Sequence, residues 1–310
     1  VINSCVSQSK PTVKTNMNKY TTEWAEIEQL RRQGLPKSIL PKVDSIYQAA
    51  LAEKNYEQVI KAIIFQINGI GILEENDEGA NKIFNNLKKD AEQLPQPAKS
   101  IVYSMIGQMY EVFYNQNAWT INRRTSTAID LEDIHTWDAR RLAEEAIRYY
   151  EFSISDAKAL QMESVDNYKN ILQDNYIPDY QPTLYDILVN RALAYYASDF
   201  NVHALPQQAF VINNPDYFND ARKFTKLKIQ STDSLSPAYL SLKAYQNLLR
   251  YHLDQSNHDA IFEKANEDIT ALIDVDLRRM AYLKDKGRYP DNNKLYGKAL
   301  IDMSREYHSY

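Results

Sequence analysis

The sequence predicts an all-α protein built as an irregular helix-pair array. Three observations predict it. Apolar residues recur at spacings of three and four along most of the 310 residues, most clearly at Ile101, Val102, Met105, Ile106, Met109, Tyr110 and Phe113. Glycine is scarce, at seven residues, so the positive-φ turns that a many-stranded fold needs are in short supply. Strand-like alternation is confined to one weak stretch, His203 to Ile212.

Residues 1–18 carry no period, so 1–20 reads as a disordered tether ahead of a single helical domain over 21–310. Glu23 to Gln33 forms a short amphipathic helix through Trp24, Ile27 and Leu30, and Gly34 stops it as a left-handed cap. Pro41 fits a first helical turn, where no amide donor is needed. Val43, Ile46, Tyr47, Ala50 and Leu51 then share a face. Asn55 ends that helix and caps the next, with Gln58 as its capping-box partner. Val59, Ile60, Ile63, Ile64, Ile67 and Ile70 form the second face. The pair over 38–74 is close to the size of one tetratricopeptide-type repeat but lacks the consensus signature. The expectation is a tetratricopeptide-like α-solenoid without strict repeats.

A polar helix over Asn81–Gln93 is punctuated by Pro95 and Pro97, and a buried helix covers Ile101–Tyr114. Asn115–Asp133 reads as a long ordered loop. Thr136 is the expected cap of a helix from Trp137 to Leu160, with Leu142, Ala146, Ile147, Tyr150 and Ile154 inward. A short helix at Val165–Leu172 leads to a turn-rich connection at Asp174–Gln181, and 175–182 is a candidate subdivision. Thr183 caps Leu184–Ser198, and Asn201–Asp216 is a second long loop. Helices follow at 217–229, at 237–254 with Ser236 as cap, at 258–285 and at 291–307.

Net charge is −5, which offers no basic field for a phosphate backbone and excludes nucleic acid as the expected partner. Arg31–Arg32 and Arg123–Arg124 read as solvated helix faces. No apolar run reaches 18 residues, so no membrane-spanning helix is expected. Tyrosine is abundant at 23 residues; a core of imperfectly dry seams and a glycan- or protein-binding surface both fit. Cys5 is the sole cysteine, so no internal disulfide forms. Val1-Ile2-Asn3-Ser4-Cys5 fits the end of a secretion signal, which makes Cys5 the candidate lipid attachment; an ordinary thiol in a loose terminus is the alternative.

The chain shows no expected catalytic residue, cofactor site or metal site. None of the five histidines sits in a paired motif. Asp133, His135 and Asp138 straddle a loop–helix junction with no second His or Cys nearby, which suits a helix cap beside a packed Trp137 better than zinc. Gly69 and Gly71 lie inside an apolar helix, where they allow close packing and cannot cradle phosphate. Glu74–Glu75 and Glu144–Glu145 read as solvated faces. Asp186 and Arg191 fall on a largely apolar helix and, if inward, need partners; a structural ion pair is the expected form.

Several segments carry a family resemblance. They are Gly34-Leu35-Pro36-Lys37-Ser38, Val43-Asp44-Ser45-Ile46-Tyr47 and Gln58-Val59-Ile60-Lys61-Ala62. Arg124-Thr125, Asp133-Ile134-His135-Thr136-Trp137-Asp138, Pro182-Thr183-Leu184-Tyr185-Asp186-Ile187-Leu188 and Arg191-Ala192-Leu193 belong to the same set. Together they resemble the N-terminal helical region of Bacteroidetes-type alpha-2-macroglobulin-like proteins. The resemblance implies a long secreted protein, periplasmic or outer-membrane associated, in which this region precedes macroglobulin β-sandwich domains. It also implies protease entrapment or inhibition by the full-length protein, with those domains and proteases as partners. The family's Cys-Gly-Glu-Gln thioester motif is absent, since Cys5 is followed by Val6-Ser7. What the resemblance implies for this chain is a scaffold or interaction role. Arg124, Asp133, His135, Trp137, Asp138, Asp186 and Arg191 are its candidate structural polar cluster. The rival expectation is a glycan-binding outer-membrane lipoprotein of the nutrient-capture type, favoured by the tyrosines and by Cys5. A helical glycan lyase or hydrolase ranks third, because no acid–base pair stands out.

Overall fold

The computed structural model describes residues 13–73, 77–124, 133–168, 171, 180–198, 210–258 and 265–308. Within them the chain is all-α, an array of twelve α-helices. No β-strand occurs among the described residues; a single antiparallel bridge joins Ser164 and Thr183. The chain gathers into two compact units, Val1–Asn86 and Leu87–Tyr310, where the sequence predicts one domain from residue 21. Cys5, Glu74–Glu75 and most of the candidate subdivision at 175–182 lie outside the described residues.

The first unit begins with α1 (Val13–Arg32), α2 (Pro36–Ala52) and α3 (Tyr56–Leu73). Helix α1 starts at Val13, inside the segment expected to be a tether, because the polar residues ahead of Tyr20 include no helix breaker. Gly34 closes α1 at φ 68, with its N–H bonded to Arg31 O and that of Leu35 to Leu30 O, the paired bonds of a Schellman turn. Pro36 opens α2, which places Pro41 inside the helix and corrects the first-turn expectation. Asn55 caps α3 as expected, receiving the Gln58 N–H at 3.4 Å. The Gln58 side chain does not complete the capping box. Its Oε1 accepts from Trp24 Nε1 at 2.6 Å in the α1 seam. Trp24 also packs against Phe65, with ring centroids 4.8 Å apart. The expected close approach at Gly69 is present: a Cβ there would stand 2.5 Å from Leu40 Cδ2.

Helix α4 (Asp77–Gln93) carries the chain into the second unit, which holds α5 (Ala98–Ile121), α6 (Ala139–Ile154) and α7 (Ala157–Gln161). The region 115–121 is helix, not loop. It contains no Gly or Pro, and Ile121, seven residues beyond Tyr114, is fully buried and anchors the extra turns. Residues 125–132 of the expected loop lie outside the described residues. Helices α5 and α6 pack antiparallel through aromatic pairs in opposite order, Tyr103 with Phe152 and Tyr110 with Trp137. The single helix expected to Leu160 is broken after Ile154, and Asp156 recaps α7 by accepting from Ala159 N at 3.2 Å. Of the helix expected at Val165–Leu172, Val165–Tyr168 form a 3-10 turn, and most of the rest lies outside the described residues.

Four more helices that matter for the site follow: α8 (Leu184–Ala197), α9 (Ala221–Phe224), α10 (Pro237–His258) and α11 (Ala265–Lys286). The helix expected over 217–229 shrinks to a 3-10 turn at Pro215–Phe218 plus the four residues of α9. Asn214 and Asp220 cap these pieces separately, and buried Arg279 of α11 takes the Tyr217 and Asn219 carbonyls that a continuous helix would have used. Residues 210–214 form no regular structure, and the rest of the weak strand candidate is outside the described residues. Helix α12 (Asn292–Glu306) packs on α11.

Candidate functional site

The residues singled out by sequence fall into three places in the second unit. The first is the junction between α5 and α6. Arg124, just past the end of α5, donates to Trp137 O at 2.8 Å. Asp133 accepts from His135 N at 3.0 Å, and Thr136 Oγ1 donates to Asp133 O at 2.7 Å. Asp138, not Thr136, caps α6, accepting from Arg141 N at 2.8 Å. The Trp137 ring stacks on Tyr110 at 5.8 Å, and the Arg141 guanidinium lies 4.0 Å from its centroid. His135 meets Phe113 edge-on at 5.0 Å. These polar groups serve backbone ends and ring faces. Among the described residues no group of three or more His, Cys, Asp or Glu could hold a metal ion.

The second place is the start of α8, where Thr183 and Asp186 form a full capping box. Asp186 accepts from Thr183 N at 3.1 Å and Thr183 Oγ1 at 2.6 Å through Oδ2, while Oδ1 stands 2.8 Å from His252 Nε2 on α10. Asp186 therefore pairs with His252 and not with Arg191. Arg191 is the third place. It donates from Nε to Ser104 Oγ and from Nη2 to Gln108 Oε1, both at 2.8 Å, tying α8 to α5. Burial raises the Glu111 carboxyl and the nearby Arg191 charge partly offsets it. Seven candidates thus resolve into one five-residue junction and two separate ties.

One concavity among the described residues was not singled out by sequence. It is a cleft of about 760 Å³ between the C-terminal end of α6, α7 and the middle of α10, with Tyr185 of α8 also lining it. Glu151 stands in its wall and accepts from the Tyr196 hydroxyl. Burial raises the Glu151 carboxyl above the ordinary 4.5, and the Tyr196 hydrogen bond only partly opposes this. Burial likewise pushes the Tyr185 phenol up to about 12, so it stays neutral. Tyr185 and Tyr251 meet edge to face at 5.7 Å, and Phe152 is 43% exposed beside them. Among the described residues Arg250 is the only cationic one lining the cleft, and its guanidinium is held by Thr225 O and Asn247 Oδ1, each at 3.0 Å. The only advance signal was Glu151 next to inward Tyr150, which reads like any helix-face carboxylate.

The fold and these sites define an all-α helical-array protein. Comparison with protein-family models, with curated proteins and with solved structures finds no match to this chain. Among the described residues no helix is long and apolar enough to cross a membrane.

Proposed function

We propose that this chain is the N-terminal helical region of an alpha-2-macroglobulin-like protein, and that it acts as a non-catalytic interaction and positioning module. One observation carries the reading: the resembling segments occur together in one chain and span about residues 24–197. Support comes from what their polar residues do. Arg124, Asp133, Asp138 and Thr183 serve backbone ends and helix caps, as a scaffold requires and a reaction centre does not. In this reading the full-length protein entraps proteases, works on the periplasmic side or at the outer membrane, and is tethered through Cys5. Reading the gene past Tyr310 tests the class. Macroglobulin β-sandwich domains in the same frame are expected, and their absence overturns the reading. Intact-mass mapping of Cys5 on the native protein tests the tether, and an unmodified thiol removes it.

A second reading, a glycan-binding lipoprotein, is favoured by one observation. Trp119 is 72% exposed, with the Arg123 guanidinium 3.9 Å from its ring. Oligosaccharide binding lost in Trp119→Ala would decide for it.

A further inference from the structure

The α6–α10 cleft holds a carboxylate without a counter-ion. Among the described residues Glu151 has no cationic partner; its one hydrogen bond comes from the neutral Tyr196 hydroxyl. Arg250, the cation in the cleft wall, is held by Thr225 O and Asn247 Oδ1 and makes no ion pair with Glu151. A carboxylate kept partly out of water, beside an open volume and without a partner, is an incomplete ion pair. Two features extend the negative field. Asp254 stands exposed in the cleft wall on α10, and α6 ends at Ile154 and Ser155, which also line the cleft, so its C-terminal carbonyl dipoles add to the field. The opposing positive end of α8 is already neutralised by the Asp186 cap. The walls suit the stem and head of a long cation. Phe152 is exposed and Tyr251 half-buried in the cleft wall, and aromatic rings attract a guanidinium or ammonium group.

We infer that this cleft receives a lysine or arginine side chain presented by a partner protein, with Glu151 as its counter-charge and Phe152 and Tyr251 flanking its stem. The inference rests on reading the chain as an interaction module, and it does not depend on the macroglobulin class. The lining chemistry sets the preference: two carboxylates against one committed guanidinium favour a cationic protein segment over a neutral sugar.

The test uses the full 310-residue chain and calorimetric titration with two acetylated, amidated pentapeptides. One carries a central arginine and the other a central citrulline, which is neutral and nearly the same shape. The arginine peptide should bind at least about tenfold more tightly, as expected for a partly desolvated charge pair. Glu151→Gln should abolish that preference, and Asp254→Asn, an exposed pair, should reduce it by about threefold. The Asp254 variant gives an answer even if the Glu151 variant does not fold. Equal binding of the two peptides, no binding of either, or an arginine preference that survives Glu151→Gln would overturn the inference. So would titration with maltohexaose that binds in this cleft and is lost in Glu151→Gln while the peptides do not discriminate. A failed peptide test with sandwich domains encoded downstream removes the cleft alone. A successful one without those domains removes only the macroglobulin class.

Discussion

His252 Nε2 lies 2.8 Å from Asp186 Oδ1, with both side chains 1% exposed, and this contact locks the first turn of α8 to α10. Asp186 already receives two donors from Thr183, so the imidazole N–H supplies its third. The residue that completes the capping box of α8 thereby also fixes the tertiary position of that helix. Asp186→Ala should destabilise the second unit by about 3 kcal/mol, since it strands a buried donor and removes the reciprocal half of the capping box together. Thr183→Ala, which loses the cap chiefly, should cost about 1 kcal/mol. The double variant should cost less than the sum, because both changes act on one network. Urea titrations of the three variants measure this, and strict additivity would contradict the shared network.

Arg279 is fully buried and has four attachments: Asp276, the carbonyls of Tyr217 and Asn219, and the Phe224 ring at 4.3 Å. Burial lowers its pKa and raises that of Asp276, while each charge partly restores the other. Arg279→Ala leaves Asp276 buried and alone, at a cost of about 3–5 kcal/mol. Arg279→Lys should not rescue it, because an ammonium cannot fork between two carbonyls and a carboxylate. Hydrogen exchange should show protection lost first around 215–225, and uniform loss across the unit would count against this account.

Gly107, Gly34 and Gly297 should respond to alanine with different signs. A Cβ at Gly107 would stand 2.9 Å from Tyr150, whose ring is stacked on Tyr195 at 4.8 Å. Overpacking there should cost about 1–3 kcal/mol. Gly34→Ala meets no atom but must hold φ 68, at about 1 kcal/mol. Gly297 lies inside α12 with open space around it, so alanine should add about 0.5–1 kcal/mol. Lys54, at φ 57 after α2, is the converse case, and Lys54→Gly should stabilise. Thermal melts rank the four, and a stabilising Gly107→Ala would refute the packing argument.

Glu151 links stability to pH. Its folded pKa lies above the ordinary 4.5, so the folded state holds this proton more tightly than the unfolded chain does. The resulting stability is full below about 4.5 and is lost as pH rises through the folded value. Glu151→Gln removes the ionisable group. The variant should therefore gain on the natural chain as pH rises from 4.5 to 8, and a difference that is flat or reversed in denaturant midpoints would contradict the burial account.

The helical class was legible because spacing is a local property. Ile39, Val43, Ile46 and Ala50 fall on one face of α2 whatever packs there, and all four are buried. Gly34 and Thr183 were legible because a cap is formed by residues within one turn. Helix lengths were less so. The polar stretch 115–121 continues α5 because one distant residue, Ile121, finds the core, and 217–229 breaks because Arg279, some 60 residues on in sequence, takes its carbonyls.

By itself the sequence determined an all-α chain with its main seams and several caps, since these depend on neighbours within four residues. Only the tertiary structure decided the partners of Asp186, Arg191 and Gln58, and only it created the Glu151 cleft. Those outcomes depend on which side chain from another helix arrives within hydrogen-bond reach, and helical periodicity carries no information about that.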